Sequence, residues 1–219
     1  MKRNLSFEEI SDGKKYTWDD LVKVSCNDCK GCSECCKVTE DTILLDPWDV
    51  YALSQGLSLT LEEMIGKYVD FTLIDNVPTP FLMKAKDTLA CNLLSKEGRC
   101  LIHDYRPGFC RLFPLGRIYE EDGTFKYFIQ VHECPYPNKT KIKVKQWLGI
   151  DNLKAYEEYI VKWHEVIKNI SESIEENPDW AKAVYTKFIN TFFLTPYNTG
   201  SDFYPQFYKR LKDFSEILI

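Results

Sequence analysis

Apolar residues recur at steps of three and four through the last third of the chain. Leu153, Tyr156, Ile160, Trp163, Ile167, Ile170 and Ile174 share one face of a helix over about 151–175. Asn177-Pro178 ends it. Trp180, Val184 and Phe188 predict a further helix over about 179–194, and Phe203, Phe207, Leu211 and Phe214 another over about 202–217. A short helix is expected within 142–150.

Before residue 140 the pattern breaks into smaller pieces. Tyr16, Trp18, Leu21 and Val24 predict a short amphipathic segment lying on the core. Thr42–Leu45 reads as a strand. Asp46-Pro47 supplies an N-cap and a first-turn proline for a helix running to about Gln55, with Gly56 as its stop. Thr60-Leu61-Glu62-Glu63 is a capping box, opening a helix that carries Leu61, Ile65 and Tyr68 and ends near Asp70. Phe71–Ile74 and Phe81–Ala85 are expected as strands around a turn-rich 75–80. Residues 91–110 read as loop. Phe125, Tyr127, Ile129 and Val131 alternate, and with Arg117–Tyr119 they predict a hairpin across Glu121–Thr124. Short strands and helices followed by a run of helices predict an α+β fold. The division expected is a cysteine-rich module at 1–140 and a C-terminal helical extension at 141–219 packed on it.

With 44% hydrophobic residues over 219 positions, the chain can build a core without covalent staples. A net charge of -5 provides no basic face, so no nucleic-acid partner is expected. No apolar run is long enough to span a bilayer, so no membrane partner is expected either. The first ten residues start basic, turn acidic and lack an apolar stretch, which reads as no signal peptide and a cytoplasmic location. In that reducing compartment nine cysteines serve as ligands or catalysts rather than as disulfides, and an odd number suits full pairing poorly.

Four of those cysteines fall within eight residues: Cys29, Cys32, Cys35 and Cys36. Cys91, Cys100, Cys110 and Cys134 follow, and Cys26 precedes. Thiolates select zinc, copper(I) or iron–sulfur clusters. A Cys-x-x-Cys turn lets two sulfurs converge on one metal, and two such turns overlap here. Neighbouring side chains tend to diverge, so Cys35 and Cys36 are expected to serve different sites, or one as ligand and the other as structure. Cys26, Cys29, Cys32 and Cys36 also follow the C-x2-C-x2-C-x3-C run of bacterial ferredoxins, with Lys37 where that run has proline. His132 is a candidate fourth ligand of a three-cysteine zinc site, though a half-exposed surface role is more usual. His103 reads as a structural hydrogen bonder and His164 as part of a polar helix face. Arg106 and Arg111 bracket Cys110, where they can stabilise a thiolate centre, grip an anionic substrate or pair with an acidic residue.

Cys29–Cys36 spells CxxCxxCC. Further on come Cys91 and then Gly98-Arg99-Cys100-Leu101-Ile102-His103-Asp104-Tyr105-Arg106-Pro107-Gly108-Phe109-Cys110-Arg111-Leu112-Phe113-Pro114. Together these resemble the YkgJ-like cysteine-cluster family, a zinc- or iron-chelating CxxCxxCC domain, over about 26–150. The resemblance implies metal chelation by Cys29, Cys32, Cys35, Cys36, Cys91, Cys100, Cys110 and Cys134, with Cys26 outside the shared motif. It implies no settled reaction. Flagellin lysine methylases are similar in this domain, which associates the family with S-adenosylmethionine-dependent protein modification.

Three functions follow as expectations. The first is an iron–sulfur protein, with a [4Fe–4S] cluster, acting in electron transfer or with an oxidoreductase or substrate protein as partner. The second is a zinc-binding structural or interaction module. The third is an accessory or enzyme of protein modification. Overlapping thiols with an adjacent Cys-Cys suit several irons better than one tetrahedral ion, and the scarcity of histidine disfavours mixed zinc sites.

Overall fold

A computed structural model describes residues 6–26, 32–37, 39 and 42–215. Ser6 and Glu9 exchange cap hydrogen bonds around α1 (Phe7–Ile10). The expected amphipathic lead-in is instead a strand, β1 (Leu21–Ser25). Its period is two, so Val22 and Val24 are buried while Leu21 and Trp18 are exposed. The single-turn α2 (Glu34–Lys37) lies within the cysteine motif.

Asp46 and Asp49 cap α3 (Pro47–Leu57) reciprocally, each side-chain oxygen accepting the other residue's N–H at 2.9 Å. Gly56 does not stop this helix but lies inside it. A Cβ there would stand 2.8 Å from Cβ of Tyr105, so the missing side chain is what admits that ring. The left-handed stop is Ser58.

The Thr60–Glu63 capping box forms, but α4 (Leu61–Met64) is one turn long and Ile65 is exposed. The chain then enters β2 (Val69–Ile74), which pairs antiparallel with β3 (Val77–Leu82). Asp75 and Asn76 both have positive φ, 47° and 61°, as a two-residue hairpin turn requires. β3 thus begins four residues before the expected Phe81. Pro78 and Pro80 are tolerated because ladder alternation from this turn puts both at positions that donate nothing to β2. On the outer side Pro80 accepts from Leu45 N–H at 2.8 Å, and Leu82 donates to Ile43 at 2.9 Å. The expected strand at 42–45 is reduced to this contact and one bridge, Leu44 to Phe81.

Within 91–110 lies a short 3-10 turn at His103–Tyr105, followed by α5 (Gly108–Leu112). The hairpin of β4 (Leu115–Tyr119) and β5 (Phe125–Ile129) forms as expected. β6 (Thr140–Lys143) returns to pair with β1, and α6 (Val144–Leu148) follows it directly. α7 (Leu153–Glu176) matches the long seam. α8 (Ala181–Ile189) passes into a π-helical turn at Asn190–Leu194, and α9 (Phe203–Ser215) closes the described chain. Trp180 lies outside the core, 60% exposed.

The fold is α+β, with three two-stranded antiparallel sheets and a helical C-terminal part among the described residues. One core cluster joins α3, β2 and β3 to α7, α8 and α9. Its centre is aromatic: Trp163 stacks on Phe188 at 5.6 Å, and Tyr159 meets Phe207 edge-on at 4.7 Å. A smaller cluster packs Val22, Val24, Leu112, Leu115, Tyr127, Val144 and Leu148 together. It fixes β1, α5 and α6 around the cysteines. Among the described residues no helix is long and apolar enough to cross a membrane.

Candidate metal centre

Backbone hydrogen bonds bring the distant cysteines to the motif. Cys91 N–H donates to the Cys36 carbonyl at 2.7 Å, joining the loop after β3 to α2. A bridge between Leu94 and Cys100 closes the next loop, where Ser95 N–H reaches Arg99 O at 2.8 Å. That closure returns Cys100 beside Cys91. Cys110 arrives on α5, whose first residue is held from below: Gly108 N–H donates to Asp49 Oδ1 at 2.6 Å. Cys134 follows β5, and its carbonyl accepts from Lys139 Nζ at 2.6 Å.

The thiols then sense one another. Burial pushes Cys110 well above the usual thiol range, and the charges of Cys91, Asp49, Cys100 and Cys35 add to it. Burial likewise raises Cys91 and Cys100, with Arg106 and Arg99 opposing it at Cys100. Cys35 and Cys36 are coupled through sulfurs 3.9 Å apart. Accepting that hydrogen bond lowers Cys35 to about 7, with further help from Arg106. The same bond, then burial, raises Cys36, so one proton serves the pair. Cys134 is raised by burial and by the charges of Cys26 and Cys35, against Lys139.

Cys36, Cys91, Cys100 and Cys110 therefore form one group and Cys26, Cys32 and Cys134 another, with Cys35 between them. The second group lines a small cavity with Cys35, Phe113 and Trp147. Cys29 lies outside the described residues. The adjacent sulfurs of α2 do not diverge as expected. Their 3.9 Å separation is close to the edge of a tetrahedron of sulfurs around zinc, about 3.8 Å for bonds of about 2.3 Å.

A family pattern described as "CxxCxxCC: Putative zinc- or iron-chelating domain" matches residues 28–140, just over half of the chain. The chain belongs to this CxxCxxCC family. No curated protein and no solved structure matches it. The family description supports metal binding by the chain. Among the described residues, no group of three or more His, Cys, Asp or Glu is already placed to hold an ion, so ligation must draw the sulfurs of this CxxCxxCC domain closer together. Two observations fit a metal here. The donors are all soft thiols on converging segments. Trp147 lines the small cavity, and its buried indole N–H has no hydrogen-bond partner among the described residues, although a thiolate sulfur is an acceptor suited to it.

The other candidates resolve differently. His103 bonds to Arg106 Nη1 at 2.7 Å, the structural role expected of it. His132 is exposed, and His164 stacks on Tyr119 at 3.7 Å. Arg111 grips carbonyls, donating to Arg106 O at 3.1 Å and Gly149 O at 3.3 Å, as well as to Asp104 O. It ties α5 to α6 rather than pairing with an acid. Arg106 supplies the positive charge felt by Cys35 and Cys100.

Sequence reasoning did not single out Asp49. The Asp46-x-x-Asp49 spacing signals the cap, but not the reach to Gly108 across 59 positions. Asp49 is 2% exposed, and burial, then the charge of Asp46, pushes its carboxyl well above the usual range. The native state thus binds more protons than the unfolded chain between about pH 4, the unfolded value, and the raised native value. Stability contributed by protonated Asp49 is full below that window and lost as pH rises through it. Asp49→Asn keeps an oxygen for Gly108 and removes the titration. Denaturation midpoints measured against pH should therefore fall less steeply above about pH 4 in the variant than in the wild type.

Proposed function

We propose that this chain is an iron–sulfur protein whose thiolates, Cys29, Cys32, Cys35, Cys36, Cys91, Cys100, Cys110 and Cys134, bind metal. In this reading a [4Fe–4S] cluster is held by Cys36, Cys91, Cys100 and Cys110. The observation that carries it is the convergence of four thiols from three separate segments: Cys91 N–H bonds to the Cys36 carbonyl at 2.7 Å, the Leu94–Cys100 bridge closes the loop that carries Cys100, and Cys110 lies within the field of Cys91 and Cys100. When bound, such a cluster takes up and releases single electrons. The chain's own part is to fix the sulfurs and supply charge. Arg106 and Arg99 offset the negative centre, and Cys110 is half-buried on α5. Leu101, Tyr105 and Phe109 flank Cys100 and Cys110 in sequence and are exposed, giving a redox partner protein an apolar surface to meet.

A second reading, an all-thiolate zinc module, is favoured by the tetrahedral-edge spacing of Cys35 and Cys36, 3.9 Å. Visible absorption of protein purified without oxygen separates the two. The cluster gives a brown sample that bleaches with dithionite. A colourless sample carrying stoichiometric zinc overturns the cluster and establishes the second reading.

A further inference from the structure

Cys26 lies just outside the matched family region, which begins at residue 28. It is nevertheless 3% exposed, immediately past the end of β1. β1 is paired along its length with β6, Ser25 opposite Thr140, and Cys134 lies six residues before that partner. The pairing brings Cys26 and Cys134 to one end of the same two-stranded sheet. From the other side come Cys32 and Cys35, at the entrance to α2 and on it. These four thiols share the wall of one cavity of about 20 Å³, closed by Phe113 and Trp147. Among the described residues these sulfurs are not already placed to hold an ion, so binding must draw them together, and four thiolates are the donor set of one tetrahedral ion.

We infer that Cys26, Cys32, Cys35 and Cys134 form a second, mononuclear site for one soft divalent ion, zinc or ferrous iron. Three features of the chain support it. Four soft donors from three separate segments face one cavity, where a lone buried cysteine needs no such company. Trp147, whose buried indole N–H has no hydrogen-bond partner among the described residues, lines the same cavity, and N–H donation to metal-bound sulfur is the usual outer-sphere support of such sites. Lys139 offsets charge at Cys134. The two-site division also gives α2 a purpose: its adjacent cysteines send one sulfur to each centre, with Cys35 to the mononuclear ion and Cys36 to the cluster. The inference rests on the proposed cluster only in that division of the sulfurs.

The test is metal content per chain, iron and zinc together, for oxygen-free wild type, Cys26→Ser, Cys26→Ala and Cys110→Ser, each checked for folding by far-ultraviolet circular dichroism. Both Cys26 variants should lose one metal ion per chain and keep the brown chromophore. Cys110→Ser should lose the chromophore and keep one ion. Cobalt(II) added to metal-free protein gives a second readout that needs no cluster: intense sulfur-to-metal absorption from two bound ions in wild type, reduced to about half in Cys26→Ser. Wild type with a cluster, but with Cys26 variants of unchanged metal content and cobalt spectrum, overturns the second site and spares the cluster. Wild type without a cluster but with one ion lost on Cys26 substitution overturns the cluster and spares the second site. Should both Cys26 variants fail to fold, the cobalt titration of wild type decides: two thiolate-bound cobalt ions support the inference and one overturns it.

Discussion

Cys110→Ser protein should emerge from oxygen-free purification without its cluster iron and brown chromophore, and with its melting temperature lowered by roughly 10 °C. Cys110 enters the site on α5 and lies within the field of Cys91, Cys100 and Cys35 at once. A serine hydroxyl is nearly the same size but is a hard, neutral donor that soft metals leave unbound. Because a metal bound only by the native state adds its binding energy to folding, losing it removes about 4 kcal/mol at a thousandfold excess over Kd. For a chain of this length each kcal/mol moves the midpoint by about 2–4 °C. Iron analysis and a thermal melt check both parts. Wild-type iron content in Cys110→Ser would remove that residue from the ligand set.

Gly108→Ala should be nearly as damaging without touching a thiol. A Cβ at that position falls well inside contact distance of the Tyr156 hydroxyl and 3.4 Å from Asp49 Oδ1. Tyr156 has little freedom to retreat, being 1% exposed, bonded to Arg117 Nη2 at 2.9 Å and packed edge-on against Trp48 at 5.1 Å. Overpacking of this kind costs about 3 kcal/mol. Any relief comes from lifting α5, which lengthens the Gly108–Asp49 bond and carries Cys110 away from its partners. Stability and metal content should therefore fall together. Adding Tyr156→Phe removes the clashing hydroxyl, so the double variant should be more stable than the sum of the single effects predicts. Additive losses would place the strain elsewhere. Chemical denaturation of the four proteins measures it.

Long apolar seams were the most legible part of the fold, because a helix of six turns repeats its signal. Ile160, Ile170 and Ile174 are buried on α7 as their spacing predicts. Short elements were less legible. Two of the four apolar positions between Tyr16 and Val24 fit a helical face as well as a strand, and β1 is decided by its partner β6, over a hundred residues away. Pro78 and Pro80 argued against a strand at 77–80, yet ladder register makes them harmless. Gly56 reads as a helix stop in sequence and acts as a packing hollow for Tyr105.

For the candidate centre, residue types were visible and their grouping was not. CxxCxxCC announces soft-metal chemistry by itself. That Cys91 joins Cys36 depends on one backbone hydrogen bond, and that Cys26 joins Cys134 depends on a strand pairing. Asp49 and Arg111 support the thiols through backbone groups, and contacts to backbone leave no mark in residue identity.

The most direct measurement is iron, zinc and acid-labile sulfide per chain in oxygen-free protein, combined with cysteine-by-cysteine alkylation before and after chelation. Acid-labile sulfide with at least an equal amount of iron, and Cys36, Cys91, Cys100 and Cys110 shielded until the metal is removed, is the result this account requires. A folded protein free of iron and zinc, in which every one of those cysteines alkylates at once, contradicts it.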